Sequence, residues 1–161
     1  MLDVGIVNAS PIIFLSRAGH LSLLEGFYRS VLVPSQVANE LGARGDADAS
    51  ALALASTSWL VQVEVTDIPL SVERWGLGPG ESSVLALALQ TPSSEVILDD
   101  LAGRKCALSL GLDVRGTLGL VLLAKLRGHV PLARPILEAL LETGMYLSRS
   151  VLDRALERVG E

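Results

Sequence analysis

Short apolar runs alternate with helix-forming segments along this chain, and this alternation constrains its fold more than any other feature. The runs at 4–7, 31–33 and 96–98 consist almost wholly of aliphatic residues, as strands buried on both faces do. Helix signals separate the runs, beginning with Ser10-Pro11 directly after the first. Strands that alternate with helices form parallel sheets covered on both faces. The sequence therefore predicts an α/β fold around a central, mostly parallel sheet.

The remaining boundaries follow from periodicity and turn residues. Apolar and polar residues alternate over 59–65, which indicates a strand, and 113–115 is predicted as a further short strand. Glycines and prolines are frequent in 66–80, so this segment is predicted to be a mobile loop. Asp46 is the expected N-cap of an alanine-rich helix at 47–55. Other helices are predicted after Ser10 and Ser35, up to residue 110, and at 21–27, 81–89, 117–127, 131–142 and 148–159.

Composition fits one domain over residues 1–161. Half of the residues are hydrophobic and the mean hydropathy is +0.47, so a disordered chain is excluded. The longest apolar stretch, at 116–124, is far shorter than the roughly 18–20 residues that span a bilayer. No signal peptide is visible, so a cytoplasmic location without membrane association is expected. The single cysteine, Cys106, cannot form an internal disulfide and is expected in the core.

Charge is distributed unevenly along the chain. The net charge of −5 is the sum of −8 over residues 1–100 and +3 over residues 101–161. An acidic site beside a basic C-terminal third would suit a metal centre with arginines that contact phosphate. A simpler interpretation places Arg149, Arg154 and Arg158 on the solvated face of the last helix.

Polar side chains occur at the edges of the apolar runs: Asn8, Glu40, Glu81 and the pair Asp99 and Asp100. In parallel sheets, functional groups collect beyond the carboxyl ends of the strands, so these side chains can share one crevice. Carboxylate oxygens are the ligands that Mg²⁺ and Mn²⁺ prefer. The structural alternatives are helix capping by Glu81 and the Asp pair, and a solvated position for Glu40.

Other chemistries find less support in the sequence. Gly78-Pro79-Gly80-Glu81 lacks the Gly-Lys-Ser/Thr ending of a phosphate-binding loop. Both histidines, His20 and His129, lie beside glycines and fit turn positions. A small-molecule enzyme on a flavodoxin-like sheet stays open as a third class, and it would need a pocket for a cofactor.

Several segments resemble one known family. Val7-Asn8-Ala9-Ser10-Pro11-Ile12-Ile13 resembles the opening of PIN domains, which usually reads Asp-(Thr/Ala)-Ser-Pro-Leu-Ile. The stretch 33–41 is similar to their second motif, and Gly78-Pro79-Gly80-Glu81 is similar to the Gly-Glu-Gly-Glu of one bacterial and archaeal subfamily. Leu98-Asp99-Asp100 with Arg104, followed by Gly116-Thr117-Leu118-Gly119, is similar to the distal half of that subfamily.

The resemblance implies a three-layer α/β/α domain in which clustered acids bind Mg²⁺ or Mn²⁺ and cleave RNA. It places the second acid on Glu40, the third on Glu81 and the fourth on Asp99 or Asp100, which the sequence does not separate. The first acid falls on Asn8, which leaves a neutral carbonyl oxygen and one negative charge fewer. A charge pair near 4 Å is worth about 4 kcal/mol before desolvation at an effective dielectric of about 20. Metal binding is therefore expected to be weakened.

The resemblance also implies biological partners. Many members are VapC-like toxins of toxin–antitoxin pairs, which form homodimers and are silenced by a small antitoxin. The leading hypothesis is a metal-dependent ribonuclease in which Ser10 and Arg104 are candidate RNA contacts, although Arg104 could instead form a salt bridge with Asp100. The alternative hypothesis is a PIN-like module with a decayed site that binds RNA or a protein partner.

Overall fold

A five-stranded sheet forms the middle layer of the computed structural model, which describes residues 1–161. All four strand pairings are parallel, and the spatial order is β3-β2-β1-β4-β5. The strands are β1 (Leu2–Val7), β2 (Tyr28–Pro34), β3 (Leu60–Val63), β4 (Ser94–Ile97) and β5 (Asp113–Arg115). The predicted three-layer α/β/α architecture is confirmed.

Ten helices connect the strands and continue beyond the last of them. They are α1 (Ala9–Arg17), α2 (Ser22–Phe27), α3 (Ser35–Gly42), α4 (Ala49–Ser56), α5 (Leu70–Glu73), α6 (Pro79–Gln90), α7 (Leu101–Ser109), α8 (Thr117–Leu126), α9 (Arg134–Glu142) and α10 (Arg149–Glu157). None of them is both long enough and apolar enough to cross a bilayer.

The core lies on both faces of the two central strands. Ile6 and Val7 of β1 are fully buried, as are Val96 and Ile97 of β4, which agrees with the continuous apolar runs predicted for them. Cys106 is also fully buried, as expected. This two-sided burial fixes the register of β1 on β4, and the register determines which residues emerge at the carboxyl end of the sheet.

Two predicted N-caps are wrong by two residues. Helix α1 begins at Ala9, so Asn8 occupies the N-cap position that was predicted for Ser10. Helix α4 is capped by Asp48 and not by Asp46, because the Asp48 carboxylate accepts a hydrogen bond of 2.9 Å from the backbone N–H of Ser50. Asp48 is further fixed by salt bridges of 3.2 Å to both Arg17 and Arg44, and sequence spacing does not reveal the distant partner Arg17.

The segment 66–80 is more ordered than its glycines and prolines predicted. It contains the short helix α5, and its residue Val72 is fully buried in the core. Pro79 occupies the first turn of α6, where its missing N–H breaks no helical hydrogen bond. Val72, together with the half-buried Ile68 and Leu77, therefore anchors this connection to the core.

A buried ion pair lies in the sheet away from the carboxyl end. Glu95 is 7% exposed and accepts hydrogen bonds from the Tyr28 hydroxyl at 2.5 Å and from Arg115 Nη2 at 2.6 Å. The Tyr28 ring rests on the backbone of Gly5, where a Cβ would lie only 2.8 Å from the ring. Burial, reinforced by the bond to Glu95, raises the pKa of the Tyr28 hydroxyl. This network joins the starts of β2 and β4 to the end of β5.

Arg115→Met is expected to lower the free energy of unfolding by about 2–4 kcal/mol, because it leaves the buried Glu95 carboxylate without its cation. Chemical denaturation measures the effect. Arg29→Met is the matched control, since it breaks an exposed pair in which Arg29 Nε lies 3.8 Å from Asp3 Oδ1, and such a pair contributes about 0–1 kcal/mol. Equal losses in the two variants would show that Glu95 does not depend on Arg115.

Candidate functional site

The carboxyl ends of the two central strands bring distant residues to one edge of the sheet. Asn8 directly follows β1, and its backbone N–H donates to Ile97 O at 3.0 Å. Leu98, directly after β4, donates its N–H to Arg115 O at 2.9 Å. Asn8 and Asp99 therefore leave neighbouring strands at the same end of the sheet, as expected for a parallel fold.

Asn8 and Glu81 are in direct contact, although 73 positions separate them in the chain. The Asn8 amide Nδ2 donates to Glu81 Oε1 at 3.2 Å, and Asn8 is 2% exposed. Glu81 lies in the first turn of α6, where the helix dipole favours a negative charge. This hydrogen bond fixes the orientation of the Asn8 amide, so that its Oδ1 points away from Glu81.

Glu40 reaches the same place from α3. A Cβ built on Gly80 would lie 3.1 Å from Glu40 Oε2 and 3.1 Å from Asn8 Oδ1, so both oxygens border the same small space. Asn8 Oδ1 is the one buried side-chain atom of the cluster that lacks a hydrogen-bond partner. Such a carbonyl oxygen costs about 1–3 kcal/mol of folding free energy.

The electrostatics of the cluster reflect crowded negative charge. Burial raises the pKa of Glu40, and the nearby charge of Glu81 raises it further, while Arg44 opposes the shift. Asn8 contributes a donor to this pair of acids, where an aspartate would add a third negative charge. Because Asn8 is neutral, the cluster contains two acidic side chains, where an aspartate at position 8 would make three.

Asp99 is held by a different contact. Its Oδ1 accepts a hydrogen bond of 2.7 Å from the backbone N–H of Thr117, and its Oδ2 accepts one of 2.6 Å from the Thr117 hydroxyl. A Cβ on Gly116 would lie 3.1 Å from Asp99 Oδ1 and 3.2 Å from Arg104 Nη1. The guanidinium of Arg104 thus lies beside Asp99 and forms no salt bridge with Asp99 or with Asp100.

Asp100 and Ser10 have peripheral positions. Asp100 caps α7, where its Oδ2 accepts the N–H of Gly103 at 2.7 Å, and it is exposed. This is the structural alternative that the sequence left open. Ser10 is half-buried in the first turn of α1, and its hydroxyl makes no hydrogen bond within the chain. The sequence did not single out two neighbours of the site, Gly80 and Thr117. Thr117 could have been found, because it lies just beyond the carboxyl end of β5, where the functional groups of parallel sheets collect.

Comparison with known proteins gives the family of this fold and site. The family model DUF3368, described as a PIN domain, matches residues 4–161. The chain belongs to the PIN domain family. No curated protein matches it. PIN domains are generally nucleases that act on nucleic acid, and they typically use divalent metal ions.

The oxygen donors of this PIN domain suit a hard divalent cation, except that one of them belongs to the neutral amide of Asn8 and not to a carboxylate. Asn8, Glu40 and Glu81 supply oxygen donors, and the unpartnered Asn8 Oδ1 is the atom that a cation would satisfy. No three acidic, histidine or cysteine side chains come close enough to form a metal site by themselves. The Asn8 amide oxygen is therefore the third oxygen donor beside those of Glu40 and Glu81.

Proposed function

We propose that this PIN domain is a ribonuclease that depends on Mg²⁺ or Mn²⁺ and that Asn8 reduces its activity. The observation that carries the proposal is the position of Asn8 between two acids: its Oδ1 and Glu40 Oε2 border one space, and its Nδ2 donates to Glu81 Oε1. The exposed guanidinium of Arg104 lies beside Asp99, which follows the neighbouring strand β4 at the same end of the sheet. Oxygen ligands for a divalent metal ion, together with an arginine that can bind phosphate, suit phosphodiester hydrolysis.

Each residue has a distinct role in this proposal. Glu40 and Glu81 would hold the ion with their carboxylates, and Asn8 would supply a neutral oxygen or position a water molecule. A bound Mg²⁺ or Mn²⁺ lowers the pKa of water and offsets the charge that builds up on phosphate. Asn8 also keeps Glu81 in place through its amide N–H.

Asp99 is the better candidate than Asp100 for the fourth acid of the site. It is half-buried and held by Thr117, whereas Asp100 is exposed and caps its own helix. Arg104 would contact a phosphate oxygen beside Asp99, since it lacks a carboxylate partner within the chain. Ser10 would contact the substrate from the first turn of α1, where its hydroxyl has no partner.

A cleavage assay tests the proposal. The purified chain is incubated with labelled single-stranded RNA over a titration of Mn²⁺ and of Mg²⁺, with and without EDTA, and with single-stranded DNA for comparison. Cleavage of RNA that requires the metal and stops in EDTA is the expected result. Cleavage at the same rate in EDTA would contradict the metal centre, and cleavage of DNA alone would contradict the substrate.

One observation favours a second candidate function, a non-catalytic module that binds RNA or a protein. The Asn8–Glu81 hydrogen bond gives one of the two acids a partner without a cation, so the fold does not need metal to neutralise three clustered acids. This module would show no cleavage at any metal concentration, and its RNA binding would be insensitive to EDTA. The assay above, with a binding measurement on the same RNA, separates the two functions.

The biological setting in this proposal follows the family resemblance. We infer a cytoplasmic toxin-like protein of one PIN domain over residues 1–161, acting as a homodimer and silenced by a small antitoxin. Co-expression with the product of the adjacent gene tests the antitoxin, and size-exclusion chromatography with light scattering tests the dimer. A monomer whose toxicity is unchanged by that product would contradict this setting.

A further inference from the structure

The absence of a side chain at Gly80 is the feature of this site that no motif explains. We propose that Gly80 is a positioning residue whose missing side chain keeps open the space through which a divalent cation reaches Asn8 Oδ1 and Glu40 Oε2. This inference rests on the proposed metal-dependent function. It assigns a steric role to a residue that is not itself a ligand.

The backbone of Gly80 does not require glycine. Gly80 lies in the first turn of α6 and is not among the glycines with positive φ, so an alanine could adopt its conformation. Glycine in a helix costs about 0.5–1 kcal/mol relative to alanine. Conformation and helix propensity both favour alanine here, and the reason for glycine must therefore lie in the space around it.

That space is bounded by the two oxygens and one methyl group. A Cβ on Gly80 would lie 3.1 Å from Asn8 Oδ1, 3.1 Å from Glu40 Oε2 and 3.7 Å from Val37 Cγ2. Contacts of 3.1 Å are tighter than ordinary van der Waals contact, and a methyl group offers neither oxygen a hydrogen bond. The methyl would occupy the side of Asn8 Oδ1 on which its free acceptor capacity lies.

Asn8 cannot avoid this methyl by turning. Its Nδ2 is bound to Glu81, and the residue is 2% exposed in a close-packed surrounding. A rotation of the amide would break that hydrogen bond and bring Asn8 Oδ1 towards the Glu81 carboxylate. The hydrogen bond to Glu81 therefore also keeps Asn8 Oδ1 facing the space beside Gly80.

Gly80→Ala tests the inference, with Gly42→Ala as the control. Gly42 also lies in a helix, and a Cβ there would have open space around it. Binding of Mn²⁺ is measured by electron paramagnetic resonance, and thermal unfolding is followed in EDTA. We expect Gly80→Ala to weaken Mn²⁺ affinity by about 10–100-fold while it still unfolds in one cooperative transition in EDTA, which shows that the variant is folded, and we expect Gly42→Ala to bind Mn²⁺ like wild type.

If wild type binds Mn²⁺ too weakly to measure, the same comparison of Gly80 with Gly80→Ala is made in the Asn8→Asp background. There the added carboxylate is expected to tighten binding, and Gly80→Ala is expected to weaken it, because the methyl still lies against Glu40 Oε2 and an oxygen of residue 8. Equal Mn²⁺ affinity with and without the Gly80 methyl would overturn this inference and leave the proposed function intact. Failure of both wild type and Asn8→Asp to bind Mn²⁺ would overturn the proposed function, and the role of Gly80 with it.

Discussion

Asn8→Asp is expected to increase Mn²⁺ affinity and metal-dependent RNA cleavage by about tenfold or more. The substitution restores a negative charge between Glu40 and Glu81, and a charge–cation contact near 4 Å is worth about 4 kcal/mol before desolvation, of which about 1.4 kcal/mol already gives a factor of ten. Titration of Mn²⁺ by calorimetry and the RNA cleavage assay measure the two effects.

The same substitution should destabilise the metal-free protein. It removes the Asn8 Nδ2 donor from Glu81 Oε1 and places a carboxylate at a buried position beside Glu40 and Glu81, so the free energy of unfolding in EDTA should fall by about 1–3 kcal/mol. Added Mn²⁺ should recover this loss by binding only to the folded state. Asn39→Asp makes the same chemical change at an exposed position of α3 and should alter neither property. Unchanged affinity, cleavage and stability in Asn8→Asp would mean that this cluster holds no metal.

Glu81→Gln is expected to reduce metal-dependent RNA cleavage by about tenfold or more. The amide keeps an oxygen that can accept from Asn8 Nδ2, but it removes one of the two negative charges at the centre, which weakens the hold on the cation. Thermal unfolding in EDTA should be preserved or improved, because Glu40 loses a repulsive neighbour. Initial cleavage rates over a Mn²⁺ titration measure the effect, and a shift of the metal dependence to higher concentration is expected.

Glu64→Gln provides the control for this prediction. Glu64 is exposed and makes no salt bridge, so its loss changes the net charge by the same amount without touching the cluster. Equal cleavage by Glu81→Gln and wild type would reject the assignment of Glu81. An equal fall in both variants would attribute the effect to overall charge.

Much of the fold could be predicted because local sequence patterns specify it. The aliphatic runs of β1 and β4 are buried on both faces, and their composition alone predicts this. The errors occur where a distant contact decides a local question. Asp48, which caps α4, is held by a salt bridge to Arg17, 31 positions away, and Val72 anchors α5 because it finds space in the core.

Part of the site could likewise be predicted from the sequence, and tertiary contacts decided the rest. The edges of the apolar runs predicted that Asn8, Glu40 and Glu81 could meet, and the structure places Asn8 between the two acids, with its Nδ2 bonded to Glu81 and its Oδ1 beside Glu40 Oε2 at the space next to Gly80. Sequence spacing could not separate Asp99 from Asp100, since adjacent residues differ only in the direction of their side chains. Thr117 turns Asp99 towards the end of β5, while Asp100 turns back to cap α7.

The order of apolar runs and turn residues by itself determined a parallel α/β sheet with polar side chains at its carboxyl edge, and it determined that one expected acid is Asn8. Only the tertiary structure decided which way the Asn8 amide faces, that its Oδ1 lacks a partner, and that Gly80 leaves room beside it. The physical reason is the range of the forces involved. Strand and helix formation responds to neighbours within a few residues, whereas hydrogen bonds and steric gaps between α3, β1 and α6 exist only after those elements have packed together.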